Sequence, residues 1–260
     1  MTTFEPRTVP SDDVTETVYV HVIGSAVWTD AAPADASWAS HVVGVLDGAN
    51  WFAVDVPPDA DPSDGAKVDL YGFHGRAGQE AWLAAGRAVQ LVEWGRTHRF
   101  CGRCGTPTVP APGERAMRCP ACGLSAFPRL APAMITLVTR GDDGPDQQAL
   151  LARGIQWKVP MYSCLAGFVE PGESLEGAVV REVKEEVGLT VGDVHYQGSQ
   201  PWPFPHSLMC GFRARYVSGD IECDPTEIAD AQWYTRDAMP NIPPGISIAR
   251  TLIDAWLRGD

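Results

Sequence analysis

Gly167-Phe168-Val169-Glu170-Pro171-Gly172-Glu173-Ser174-Leu175-Glu176-Gly177-Ala178-Val179-Val180-Arg181-Glu182-Val183-Lys184-Glu185-Glu186-Val187-Gly188-Leu189 places six carboxylates between Glu170 and Glu186, four of them on one predicted helix. Ser174 suits an N-cap and Gly188 a C-terminal stop. Leu175, Ala178, Val179 and Val183 recur at helical spacing and face a core. Glu182 and Glu186 form an i, i+4 pair with Glu185 beside them, and like charges so placed repel. The repulsion calls for a cation, and hard oxygen ligands of this kind suit Mg²⁺ or Mn²⁺. A merely solvated acidic helix face is the plainer reading of any Glu-rich helix. Spacing decides against it.

The segment fits Gly-x5-Glu-x7-Arg-Glu-(aliphatic)-x-Glu-Glu-x-Gly-(aliphatic) at every position. With each residue type at roughly one in twenty, a chance fit in a chain this long is on the order of one in a million. The stretch resembles the signature of the Nudix hydrolases.

Outward from the box, residues 133–139 and 149–153 read as a hairpin around a polar turn at 141–148. A strand or loop at 162–169 leads into the acidic helix. Strands are expected at 208–217 and 231–234 and a terminal helix at 246–258, an alternation that gives an α/β/α sandwich. Toward the N-terminus, 18–24, 41–46 and 51–56 read as short strands and 78–98 as a helix weakened by Gly86. The fold class is therefore α/β (α+β), with expected domains 1–98 (small α+β), 99–126 (zinc ribbon) and 127–260 (sandwich).

Cys101-Gly102-Arg103-Cys104 and Cys119-Pro120-Ala121-Cys122 stand fourteen residues apart, and each pair is followed by glycine, which permits the turn that aims both thiolates at one ion. The spacing is one residue short of the usual four-cysteine zinc range but keeps its pattern. Disulfides and a redox Cys-x-x-Cys are the alternatives. A reducing setting disfavours the first, and redox motifs come singly. One structural Zn²⁺ per chain is expected, closed to water by four thiolates. A nucleic-acid-binding ribbon has thin support in Arg103, Arg115 and Arg118. Cys164, Cys210 and Cys223 have no partner at metal spacing and read as core or incidental residues.

The chain has 260 residues, 45% hydrophobic, nine tryptophans and a net charge of −13. That composition excludes a disordered protein and argues against a broad nucleic-acid-binding or membrane-binding surface. Met1 to Val14 has neither a basic nor an apolar region of a signal peptide, and no apolar run is long enough to span a bilayer. A cytoplasmic protein is expected.

Ser199-Gln200-Pro201-Trp202-Pro203-Phe204-Pro205-His206-Ser207-Leu208-Met209 is the second specific stretch. Its alternating prolines predict an extended, rigid segment displaying Trp202 and Phe204. Alone it reads as a stiff loop. Placed after the box, and with the cysteines and Phe127-Pro128-Arg129-x-x-Pro132, it resembles the element that marks the NADH pyrophosphatase branch of the Nudix hydrolases. The resemblance covers roughly residues 99–258, with Phe127 where that branch often has tyrosine.

The resemblance implies a homodimeric pyrophosphatase that cuts NADH or NAD⁺ to nicotinamide mononucleotide and AMP, with removal of NAD caps from RNA in some members. It implies catalytic Glu182, Glu185 and Glu186 holding more than one Mg²⁺ or Mn²⁺, helped by the Ala166 carbonyl and Glu227. It implies substrate contacts from Phe127, Phe168, Gln200, Pro201, Trp202, Pro203, Phe204, Pro205, His206, Ser207 and Ala249. Arg181 and Glu173 would orient the glutamates. The alternatives are a Nudix hydrolase of another nucleoside diphosphate derivative, such as ADP-ribose, and a non-catalytic nucleotide-binding or zinc-ribbon protein.

Overall fold

The computed structural model describes residues 3–260, so Met1 and Thr2, at the head of the acidic N-terminal stretch, lie outside the described residues. Two compact units are formed: residues up to Arg129 together with Pro203–His206, and Leu130–Trp202 with Ser207–Asp260.

The first unit opens with β1 (Glu5–Pro6), β2 (Glu16–Ile23), β3 (Ala26–Asp30), β4 (Ser40–Leu46) and β5 (Ala49–Asp55), in sheet order β1-β4-β5-β2-β3. Helix α1 (Leu70–Thr97) packs on this sheet through Trp82, Ala85, Val89 and Val92. It starts eight residues before the predicted helix and breaks at Gly78, whose φ of 80° is non-helical. The expected helix is thus its second half. Gly86 is no accident: a Cβ there would lie 2.8 Å from the Pro203 ring. The four cysteines lie outside the strands of a small sheet of β6 (Val109–Pro110), β7 (Met117–Arg118) and β8 (Ser125–Ala126), one pair ahead of β6 and the other between β7 and β8.

The second unit is a mixed sheet between two helices. Its strands are β9 (Ala131–Arg140), β10 (Gln148–Gly154), β11 (Leu165–Phe168), β12 (Thr190–Trp202), β13 (Ser207–Ser218) and β14 (Ile228–Tyr234). They run in the order β12-β13-β9-β10-β14, with β11 paired to β9 and β13 parallel to β9. Alternation along each strand splits the core. Met134, Val138, Leu150 and Ala152 face α2 (Leu175–Val187), which buries Ala178, Val179, Val183 and Val187. Ile135, Leu137, Ala149 and Leu151 face α3 (Ile248–Arg258) with Leu252, Ile253 and Trp256. The sandwich is the one expected. Each buried valine of α2 contributes about 1.5–3 kcal/mol.

The 199–209 stretch corrects its expectation. It is not one extended segment: Gln200, Pro201 and Trp202 end β12, paired with Met209, Leu208 and Ser207 of β13, and residues 203–206 form the turn between them. Pro201 is tolerated because β12 is an edge strand.

Among the described residues no helix is long and apolar enough to cross a membrane.

Candidate active site and metal sites

Helix α2 begins and ends as its sequence predicts. The Ser174 hydroxyl accepts from the Gly177 amide at 3.0 Å, and Gly188 closes the helix at φ 75°. These ends fix which way Arg181, Glu182, Glu185 and Glu186 point.

Arg181 is the hub. Its Nε and Nη2 grip both Glu173 oxygens at 2.8 and 2.9 Å, a bidentate pair, and Nη2 also donates to the Phe168 carbonyl at 2.9 Å. Its Nη1 lies 2.9 Å from Glu182 and from Glu185. The bonds from Arg181 hold the Glu173 carboxyl down at about 2, whereas burial pushes Glu182 up despite its arginine partner. One guanidinium thus positions three carboxylates and the last residue of β11.

Glu186 has no such partner. It is 7% exposed, and its buried Oε2 finds no hydrogen bond among the described residues. Burial first, then the charges of Glu182, Glu227 and Glu185, push its carboxyl up to about 8. A buried carboxylate facing three others is costly unless a cation joins them. Glu186, Glu227 and Ala166 line one cavity of about 410 Å³. An orphaned acceptor and an all-oxygen donor set fit a hard divalent cation.

Gly167 shows why the box opens with glycine. A Cβ there would overlap the Glu182 carboxylate. Gly167→Ala is expected to displace Glu182 and lower kcat by about tenfold or more, as a misplaced catalytic group does, with little change in melting temperature. Kinetics beside a melting curve checks this, and an alanine variant with wild-type turnover would remove the steric account.

The other predicted residues divide between the units. Phe168, at the end of β11, is 56% exposed, its ring free to meet a ligand. The Gln200 amide turns inward, donating to the Ile246 carbonyl at 2.8 Å and accepting from the Ile248 amide at 2.7 Å, and so seats the start of α3. Ser207 and Ala249 are buried, Ala249 within the α3 core. In the first unit, Phe127 is exposed, Pro203 rests on Gly86, and Phe204 stacks on Tyr71 with centroids 5.0 Å apart. Pro205 and His206 line a small cavity with Trp94, His98 and Arg129. Sequence reading missed Gln156, Trp157 and Thr226, which line the glutamate cavity. The only signal for them is an aromatic residue in the loop before β11.

The four cysteines converge. Their sulfurs all lie within 4.8 Å of one another, the only such group of potential metal ligands among the described residues. Gly105 and Gly123 adopt φ of 71° and 75° and close the turns, their amides donating to the Cys101 and Cys119 carbonyls at 2.9 and 3.0 Å. Amides of Arg103 and Cys122 point at the Cys101 and Cys119 sulfurs. This is a closed site for one structural Zn²⁺. Cys164 and Cys210 are buried in the two cores, and Cys223 packs at the edge of one.

Fold and site together define a hydrolase of the Nudix class, with the box on α2 and a zinc ribbon ahead of the sandwich. Residues 129–256 match the NUDIX domain family, 96–127 the NADH pyrophosphatase zinc ribbon domain, and 20–94 the NADH pyrophosphatase-like rudimentary NUDIX domain. The last match gives the N-terminal α+β domain a kinship that sequence patterns did not. Its helix α1 carries only Glu80 and Glu93, and so has no carboxylate cluster. The chain is similar to NAD-capped RNA hydrolase NudC of Deinococcus radiodurans, 55% identical over 65% of this chain and 60% of that relative, so the match spans less than two thirds of its length. It is also similar to the proteins of that name from Pseudomonas fluorescens, 45% identical over 84% of this chain and 78% of the relative, and Pseudomonas aeruginosa, 49% identical over 84% and 77%. The chain belongs to the NADH pyrophosphatase branch of the Nudix hydrolases.

Proposed function

We propose that this protein hydrolyses the pyrophosphate of NADH or NAD⁺ to AMP and nicotinamide mononucleotide, reduced when the substrate is NADH, and removes NAD caps from RNA 5′ ends. The observation that carries the reading is Glu186, a buried carboxylate with an unpartnered oxygen, sharing a cavity with Glu227 and Ala166. The names of the relatives support the substrate.

In this reading Glu182, Glu185, Glu186, Glu227 and the Ala166 carbonyl hold Mg²⁺ or Mn²⁺, more than one ion. When bound, such cations neutralise phosphoryl oxygens and lower the pKa of a water. Arg181 and Glu173 keep Glu182 and Glu185 aimed. Phe168 stacks on one base of the dinucleotide. Gln200 contributes by seating α3, since its amide is already engaged. The reading includes a three-domain organisation with boundaries near residues 98 and 126, a homodimer and a cytoplasmic location.

Phe168→Ala tests it. The variant is expected to lose about 1–3 kcal/mol of transition-state binding, the worth of one base–aromatic stack, seen as a fall in kcat/KM for NADH. An unchanged value would refute the stacking role.

A further inference from the structure

A second cavity, of about 730 Å³, lies wholly within the first unit and has no part in the glutamate site. Its wall is built from the ribbon hairpin between Pro110 and Met117, the end of α1, strand β4 and residues Thr8 and Val9. Arg96, Arg99 and Arg115 line it, with His41 and the carboxylates of Asp55 and Glu114.

Asp55 is already engaged. It holds Arg96 at 2.5 Å, and that guanidinium also donates to the Val22 and Val56 carbonyls. Arg115 has no such counter-ion: among the described residues it forms no ion pair. Its Nη2 donates to the Arg7 and Val42 carbonyls at 2.5 and 2.7 Å, and its buried Nε has no partner. Arg87 stands behind it in the same condition, its Nη2 3.4 Å from the same Arg7 carbonyl and its Nε buried and unpartnered. Two half-buried guanidinium groups therefore share one carbonyl, and among the described residues no carboxylate pairs with either. Burial and the charge of Arg87 push Arg115 down to about 10, which reports the same strain. Uncompensated buried charge is costly, and an anion in the cavity would relieve it.

The rim supplies the rest. Arg99 is exposed and makes no side-chain bond among the described residues. Burial and Arg115 lower the His41 pKa, so its ring is a neutral hydrogen-bonding group beside the Trp94 indole, 5.7 Å between centroids. Among the lining residues Asp55 and Glu114 against Arg96, Arg99 and Arg115 leave one positive charge, and Arg87 behind Arg115 adds a second, which suits a dianion. The guanidinium fork matches phosphate oxygens. We propose that this cavity is an anion site, separate from the hydrolytic centre, which binds a phosphate dianion between Arg115 and Arg99. The phosphate is either free or carried on a nucleoside monophosphate.

Calorimetric titration without added divalent cation, using inorganic phosphate in one arm and AMP in the other, tests the site in wild type, Arg99→Ser and Arg115→Gln. Wild type is expected to bind one anion per chain. Arg99→Ser is expected to weaken binding on the order of tenfold, the loss of one charge-assisted hydrogen bond, and Arg115→Gln more. Arg115→Gln also removes ties to Arg7 and Val42 and risks the fold. Arg99→Ser removes no internal bond and keeps the test decisive. Arg99-sensitive binding of both anions marks free phosphate as sufficient, and such binding of AMP alone marks the nucleoside monophosphate. No saturable binding of either, or the same affinity in Arg99→Ser as in wild type, overturns the proposal.

Discussion

Glu186→Gln is expected to lower turnover at least about a hundredfold, on the scale of metal and electrostatic stabilisation of the transition state, while leaving the protein folded. The substitution keeps the shape of a side chain that is 7% exposed and removes the charge whose Oε2 has no partner. Stability should move the other way. Burial and neighbouring carboxylates raise this carboxyl to about 8 in the folded chain. Its contribution is therefore fully present below the ordinary carboxylate range and is lost as pH rises toward 8, because the unfolded chain gives up the proton first. Without divalent cations, Glu186→Gln should then melt at or above wild type, with the gap widening between acid pH and pH 8. Melting curves across that window, beside steady-state rates, separate lost chemistry from lost folding. A variant turning over at the wild-type rate with saturating Mg²⁺ would remove Glu186 from the site.

The second large effect concerns the ribbon. Cys119 is 1% exposed and its sulfur lies 3.5 Å from that of Cys104. Replacing it with serine removes one of four thiolates, and zinc binding in such sites is coupled to folding. Elemental analysis should find one zinc per wild-type chain and well under one in Cys119→Ser. Melting temperature should fall by more than about 5 °C, at roughly 2–4 °C per kcal/mol for a chain of this size. The fraction that stays folded should keep its turnover, since a site closed by four sulfurs offers no position for water. Wild type purified without chelator and free of zinc would contradict the ribbon.

The parts of this molecule legible in its sequence are those where residue type and spacing do one job. Ser174 and Gly188 bound α2 because a cap needs a hydroxyl and a left-handed terminus needs glycine. The cysteine pairs and their following glycines specify the knuckles on their own. Other parts depend on partners far along the chain. The first half of α1 carries Gly72, Gly75 and Gly78, poor helix formers, and is anchored by the buried Leu70 and Phe73. Strand β12 is mostly exposed, polar and interrupted by bulges, so it lacks an alternating apolar signal and is set by its pairing with β13. Prolines at 201, 203 and 205 suggest an extended rod, but the antiparallel ladder turns the chain back between Trp202 and Ser207. The box names Gly167 and Glu182 without revealing that one must be small because the other lies against it. Gln200 illustrates the limit for the candidate site: its position in the motif implies a substrate contact, whereas its amide is bonded to the start of α3.

The measurement that bears most directly on the central claim is product analysis by chromatography. Pure protein is incubated with Mn²⁺ and NADH, NAD⁺, ADP-ribose or NAD-capped RNA. Cleavage at the pyrophosphate, giving AMP and nicotinamide mononucleotide (reduced from NADH, oxidised from NAD⁺) and a 5′-monophosphate end on the RNA, with ADP-ribose the poorer substrate, is the predicted result. Intact NADH, NAD⁺ and capped RNA alongside rapid hydrolysis of ADP-ribose would contradict it.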